Sequence, residues 1–364
     1  LTSVAAKVAP TKINNLQALR AFAAVCVVIF HTGFAFPHVR GLGSFGVDIF
    51  FVLSGYIMAR ICEKNPGYFL RRRLIRILPP YWLLTILLFI AAYFVPALMG
   101  STRAEFSDLW KSLFFIPFIK ESGIIRPLLF VGWSLNYEMF FYMLIWISLI
   151  VLPRRPMLLA SILVALAHFA SLLFHQHEAF LIFLHEPFIL EFPLGAIAYH
   201  LAKRVSAPQA ERWRVGSLLM LIAATSSLIA WSAIQPMALG QLNGGIFSLF
   251  CFFIVLSTSL LSQGGWDTRI RWIVLLGDAS YILYLIHPYI EYSIQRILVP
   301  RAHFLAIASP LGCFIAVSIA CVFGILLHLY GENPLLNYLN KRFGGRRKSA
   351  EFRVLIETKG QVNP

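Results

Sequence analysis

QALRAFAAVCVVIFHTGFAFP, residues 17–37, is an apolar run interrupted by Arg20 and His31. A helix needs about 20 mostly apolar residues to cross the hydrocarbon core of a bilayer. This run has that length, and comparable runs follow it. Ten stretches qualify as spans: 17–37, 45–62, 78–99, 131–152, 157–174, 180–202, 215–234, 245–262, 271–298 and 308–330. The stretch 180–202 is interrupted by His185, Glu186, Pro187, Glu191 and Pro193, and 271–298 is long enough to be tilted or broken. The expected fold is therefore all-α, a polytopic membrane bundle of about ten helices.

Composition points the same way. Of 364 residues, 59% are hydrophobic and 13% charged, against about 25% charged in a soluble domain. Mean hydropathy is +0.75. These values exclude a soluble enzyme, a disordered chain and a disulfide scaffold. The five cysteines (Cys26, Cys62, Cys251, Cys313, Cys321) lie in or beside apolar runs without metal-ligand spacing and read as small hydrophobes. Lys7 and Lys12 lead straight into the first run with no small-residue cleavage pattern, so no signal peptide is expected.

The formal charge of +15 reads as membrane topology and contact with anionic lipid, with no nucleic-acid partner. Basic residues concentrate on alternate connections. Lys7, Lys12, Arg60, Lys64, the run Arg71 to Arg76, Arg154, Arg155, Lys203, Arg204, Arg212, Arg214, Arg269, Arg271 and the C-terminal tail hold 23 of them. Arg40, Arg103, Lys111, Lys120, Arg126, Arg296 and Arg301 make seven on the other set. Ten spans with both termini cytoplasmic fit this alternation, with a cytoplasmic segment at 1–13, a membrane domain at 14–340 and a basic cytoplasmic tail at 341–364. The segment 100–130 reads as a short external cap.

Ionisable groups inside spans cost about 2.5–3.5 kcal/mol each on insertion scales and mark functional positions. Arg20 and His31 are eleven residues apart, within about 20° of one helix face and about 16 Å in height. Asp48 enters the second span from the side on which the first ends, so it is expected to orient His31 and raise its basicity. Glu138 starts the fourth span after Trp133, and His287 lies in the ninth after Tyr281 and Tyr284. His31, Asp48, Glu138 and His287 are thus expected together in the outer half of the bilayer. Arg20 and the loop carrying Arg71, Arg72, Arg73 and Arg76 are expected on the inner side, where guanidinium forks suit a multi-phosphate ligand. His175, His177, Glu178, His185 and Glu186 lack an ordered metal-ligand spacing, so no metal is expected.

In order, Arg20…His31, Phe50-Phe51-Val52-Leu53-Ser54-Gly55-Tyr56, Arg73-x-x-Arg76 with Pro79-Pro80-Tyr81-Trp82, Trp133-Ser134-Leu135-x-x-Glu138 and Ser280-Tyr281-x-Leu283-Tyr284-Leu285-x-His287 resemble the integral-membrane acyltransferase family 3. The stretch 135–142 is most similar to the branch that acetylates exopolysaccharides. The resemblance covers about 14–340. It implies a multi-pass protein of the bacterial inner membrane that moves an acetyl or other acyl group from cytoplasmic acetyl-CoA to a hydroxyl of a carbohydrate acceptor, free or lipid-linked. It also implies that Arg73 and Arg76, with Arg20 beside them, hold the CoA phosphates. His31 then acts as general base or as a transiently acylated nucleophile, and these two roles stay open. Trp133, Tyr281 and Tyr284 are expected against substrate, and the oxyanion donor stays open between Tyr281, Trp133 and a backbone amide at a broken helix. The rival reading is a proton-coupled secondary transporter of a polysaccharide precursor or small metabolite, against which stands the lack of paired interrupted helices in corresponding halves.

Overall fold

A computed structural model describes residues 13–33, 43–64, 66–96, 102–120, 123–175, 177–234, 241–298 and 307–343. The expected segments 1–12 and 344–364, and with them most of the N-terminal segment and tail, lie outside the described residues, as do Arg40 and Arg301. Among the described residues the fold is all-α, with one isolated bridge between Ile119 and Ile125 as its only extended pairing.

The helices are α1 (Asn14–His31), α2 (Gly46–Lys64), α3 (Phe69–Phe94), α4 (Phe106–Leu113), α5 (Trp133–Val151), α6 (Pro156–Ser171), α7 (Ala179–His185) and α8 (Glu191–Arg204). They continue as α9 (Ala207–Arg212), α10 (Arg214–Ile234), α11 (Gln241–Gln263), α12 (Arg271–Asp278), α13 (Ser280–Ser293), α14 (Pro310–Leu327) and α15 (Asn333–Phe343). Every stretch read as a span holds a helix or a bent pair. Among the described residues, six helices are long and apolar enough to cross a membrane, and up to eight spans result if each bent pair counts as one. The 16-residue α6 is apolar but short. The 19-residue α2 carries Asp48, Arg60, Glu63 and Lys64.

The two suspect stretches are the bent ones. α7 and α8 meet at 54° across Glu186-Pro187, where Glu186 is extended at φ −67, ψ 129. A residue before proline is driven out of the helical region by the ring. α12 and α13 meet at 73° across Ala279, just after the weak helix formers Gly277 and Asp278.

The Arg71–Arg76 run corrects the loop expected there. α3 begins at Phe69 and continues through Pro79 and Pro80, so the arginines occupy its first turns. Arg71 and Arg72 are exposed, whereas Arg73 and Arg76, three apart and on one face, are half-buried.

α2 and α8 pack backbone to backbone. A Cβ at Gly55 would collide with the Phe192 carbonyl, and one at Gly195 with the Val52 carbonyl; small residues permit this approach. Phe51, Phe141 and Phe192 fill the space beside the crossing, with ring centroids 4.5–5.0 Å apart for the pairs that include Phe192. The N-terminus of α1 is held from far along the chain. Asp267 accepts from the backbone amides of Asn14 and Asn15 at 3.2 and 2.8 Å, supplying the acceptor that open helix amides require. Helices α1, α2, α3, α5 and α13 thereby enclose the charged centre.

Candidate active site

Two chambers lie along the bundle, at the levels set by the two polar residues of α1. The arginine chamber is narrow, with a cavity volume of about 90 Å³, and is lined by Arg20, Arg73, Arg76, Glu138, Ser54, Tyr142, Ser280 and Tyr281 among apolar side chains. Arg20 is 8% exposed and donates to Gln17 Oε1 at 3.1 Å. Glu138 accepts from Ser54 Oγ at 3.2 Å and from the Tyr142 hydroxyl. Three guanidinium groups face the Glu138 carboxylate in the chamber lining, and the Asp278 and Glu332 carboxylates also lie within electrostatic reach of Arg20. Arg73 Nε and Ser280 Oγ are buried without hydrogen-bond partners among the described residues. Buried donors without partners are costly, and an acceptor-rich anion would satisfy them.

Glu138 therefore sits with the arginines, not with His31 as expected. One turn and a half of α5 carries it from the Trp133 level to the Arg73 level. Ser134, Glu138 and Tyr142 repeat every four residues and share one face of α5. That periodicity was available in the sequence and would have identified Tyr142 and Ser134.

The histidine chamber has a cavity volume of about 390 Å³. His31, Asp48, Arg126, Phe130, Trp133 and Phe188 are among its lining residues. His31 Nδ1 lies 2.9 Å from the Val27 carbonyl and 3.3 Å from His287 Nε2. A carbonyl only accepts, so the hydrogen-bond pattern assigns the proton of neutral His31 to Nδ1. Nε2 then keeps its lone pair, the form a general base needs. His287 is fully buried and its ring centroid is 4.9 Å from that of His31.

Asp48 does not orient His31. It lines the same chamber with its carboxyl close to that of Glu191, which is fully buried and accepts from Ser248 Oγ at 2.7 Å. The ring is oriented by Val27 and His287 instead. Glu191 was visible in the sequence only as an interruption of a span; no local pattern ties it to Asp48. Arg126, at the exposed mouth, lies over the Phe130 ring at 5.7 Å.

Tyr281 donates to the Ile77 carbonyl at 2.7 Å and Tyr284 to the Val131 carbonyl at 2.7 Å. Both hydroxyls thus donate to backbone carbonyls. Trp133 packs edge-on against Phe51 and Tyr137, with centroids 6.1 and 6.0 Å away. No group of three or more His, Cys, Asp or Glu able to hold a metal occurs among the described residues.

The described helices thus carry a guanidinium cluster at one level and two neighbouring histidines at another. The chain belongs to the acyltransferase family whose acyltransferase domain matches residues 13–329. It is 30% identical over 315 residues to the exopolysaccharide production protein ExoZ of Rhizobium meliloti, covering 85% of this chain and 94% of that protein. It is 28% identical to BcsY of Komagataeibacter xylinus, named as a membrane-bound transacylase, over 75% of this chain and 72% of that one. It is also 30% identical to the peptidoglycan O-acetyltransferase OatA of Listeria monocytogenes, over 42% of this chain and 27% of that one. No solved structure matches the chain. The chain is thus an O-acyltransferase of the multi-pass inner-membrane type.

Proposed function

We propose that this enzyme transfers an acetyl or similarly short acyl group from acyl-CoA, bound at the cytoplasmic side, to a hydroxyl of an extracytoplasmic polysaccharide or its lipid-linked precursor. The observation that carries this reading is the pair of chambers, with three guanidinium groups at one level and His31 Nε2 at the other. Arg20, Arg73 and Arg76 hold the donor phosphates. His31 Nε2 takes the proton of the acceptor hydroxyl as the oxygen attacks the thioester carbonyl, and His287 keeps the imidazole in place. Trp133, Phe130 and Phe188 offer apolar faces to sugar rings at the chamber mouth. The polysaccharide acceptor is argued from ExoZ, whose name concerns exopolysaccharide production.

Ten crossings with both termini cytoplasmic belong to the same proposal. They require α2 and α6 to cross as well, and the 23-to-seven asymmetry of basic residues supports them. The rival carrier reading draws on the two bent pairs, because broken helices line transport sites. Both pairs lie at 179–204 and 271–296, so they do not occupy corresponding halves of the chain. The test is transfer of labelled acetyl from acetyl-CoA, by purified protein, to Rhizobium meliloti exopolysaccharide stripped of its esters by mild alkali. Label in alkali-labile ester on the polysaccharide is the expected result. Uptake of glycan into vesicles without ester formation would refute the enzyme reading.

A further inference from the structure

The arginine and histidine chambers have two lining residues in common, Val47 of α2 and Tyr284 of α13. A residue that faces both cavities makes a wall one side chain thick. Both are buried, at 9% and 7% exposure. Tyr284 is tethered through its hydroxyl to the Val131 carbonyl at 2.7 Å and to Ser134 Oγ at 2.8 Å. Its ring rests against Phe50, with centroids 6.3 Å apart, and His287, at 5.8 Å. Val47 follows Gly46, whose missing side chain lets α2 sit on the backbone of Ala23 in α1. Tyr284 is thus pinned by its hydroxyl and by its ring.

Resting on the acyl-transfer reading, we propose that Val47 and Tyr284 form a septum between donor and acceptor and set the length of the acyl group transferred. In the reaction the acceptor oxygen bonds to the acyl carbon and gives its proton to His31 Nε2. The carbon–sulfur bond breaks, its electron pair leaves on sulfur, and the thiolate takes up that proton to become the free thiol. An ester and a thiol are the products, with no further reactant. The acyl carbon is the one atom both partners must reach, sulfur from the arginine chamber and oxygen from the histidine chamber. It therefore lies at the level of the septum, and its alkyl tail must fit between Val47, Phe50 and Tyr284. A wall pinned on these contacts admits a short tail and rejects a long one.

The test measures kcat/KM for acetyl-, propionyl- and butyryl-CoA with the de-esterified Rhizobium meliloti exopolysaccharide and purified full-length protein. One methylene in an apolar pocket discriminates by about 10–200-fold. Wild type should lose at least ~10-fold per added methylene. Val47→Ala should raise the butyryl-to-acetyl ratio by at least ~10-fold; a ratio taken within one preparation does not depend on how much of it is folded. Val47→Phe should abolish transfer of all three groups while coenzyme A binding persists. An unchanged ratio in Val47→Ala, or wild-type acetyl transfer by Val47→Phe, overturns the septum alone. Failure of wild type to transfer any acyl group overturns the acyl-transfer reading and the septum with it.

Discussion

Replacing Arg73 and Arg76 with glutamine separates an anion site from a topology signal, because α3 supplies its own control. Arg71 and Arg72 sit on the same turns, carry the same charge and face outward, while Arg73 and Arg76 line the arginine chamber. A hydrogen bond to a charged group is worth about 1.5–3 kcal/mol. Both inward arginines are half-buried, which favours the lower figure for each. They act on one ligand, so their effects do not add freely. A combined loss of about 3 kcal/mol corresponds to ~10²-fold weaker donor binding. The outward pair interacts with the donor only through screened solvent, so Arg71→Gln with Arg72→Gln should change affinity less than ~5-fold. Both double variants lower the net charge by two and keep two arginines on the helix, so insertion should be matched. The assay is equilibrium binding of coenzyme A to purified protein in detergent at two ionic strengths. Equal losses in the two double variants, or no loss in either, would show that the run serves topology alone and that the chamber is not the donor site.

Three further outcomes follow from the geometry. His31→Gln retains a polar side chain but lacks a base, so acyl transfer should fall by about 10²–10⁴-fold with coenzyme A binding kept; transfer within threefold of wild type would remove His31 from the chemistry. Gly195→Leu drives a side chain into the Val52 carbonyl at the α2–α8 crossing, and overpacking of this kind costs about 1–3 kcal/mol or more; a thermal melt in detergent should shift down, and an unshifted melt would mean the helices do not touch there. Reporter fusions after Lys64 and Lys348 should read cytoplasmic and one after Ser107 external, and an external Lys64 fusion would overturn the proposed topology.

What the sequence by itself determined is the class of the molecule and the inventory of its chemistry. Apolar runs of bilayer length have few solutions, since every backbone amide must be satisfied within the segment and helices do this locally. Charges that survive inside such runs are too costly to be incidental, so Arg20, His31, Asp48, Glu138 and His287 could be picked out without coordinates. The two stretches that bend were also marked in the sequence, 180–202 by its prolines and charges and 271–298 by its length. What only the tertiary structure decided is which of these residues meet. Similar depth along two helices brought Asp48 toward His31 on paper, but the rotation of α2 against α8, imposed by Gly55 and Gly195, turns Asp48 to Glu191. The kinked α12–α13 pair swings His287 onto His31, 256 residues away, and no helical period encodes that contact. Glu138 joined the arginines for the same reason. Its place was set by which side of α5 packs on Ser54. A side chain's type follows from the one-dimensional chain, whereas its partner follows from the angles at which helices pack, and those angles are summed over contacts far apart in sequence.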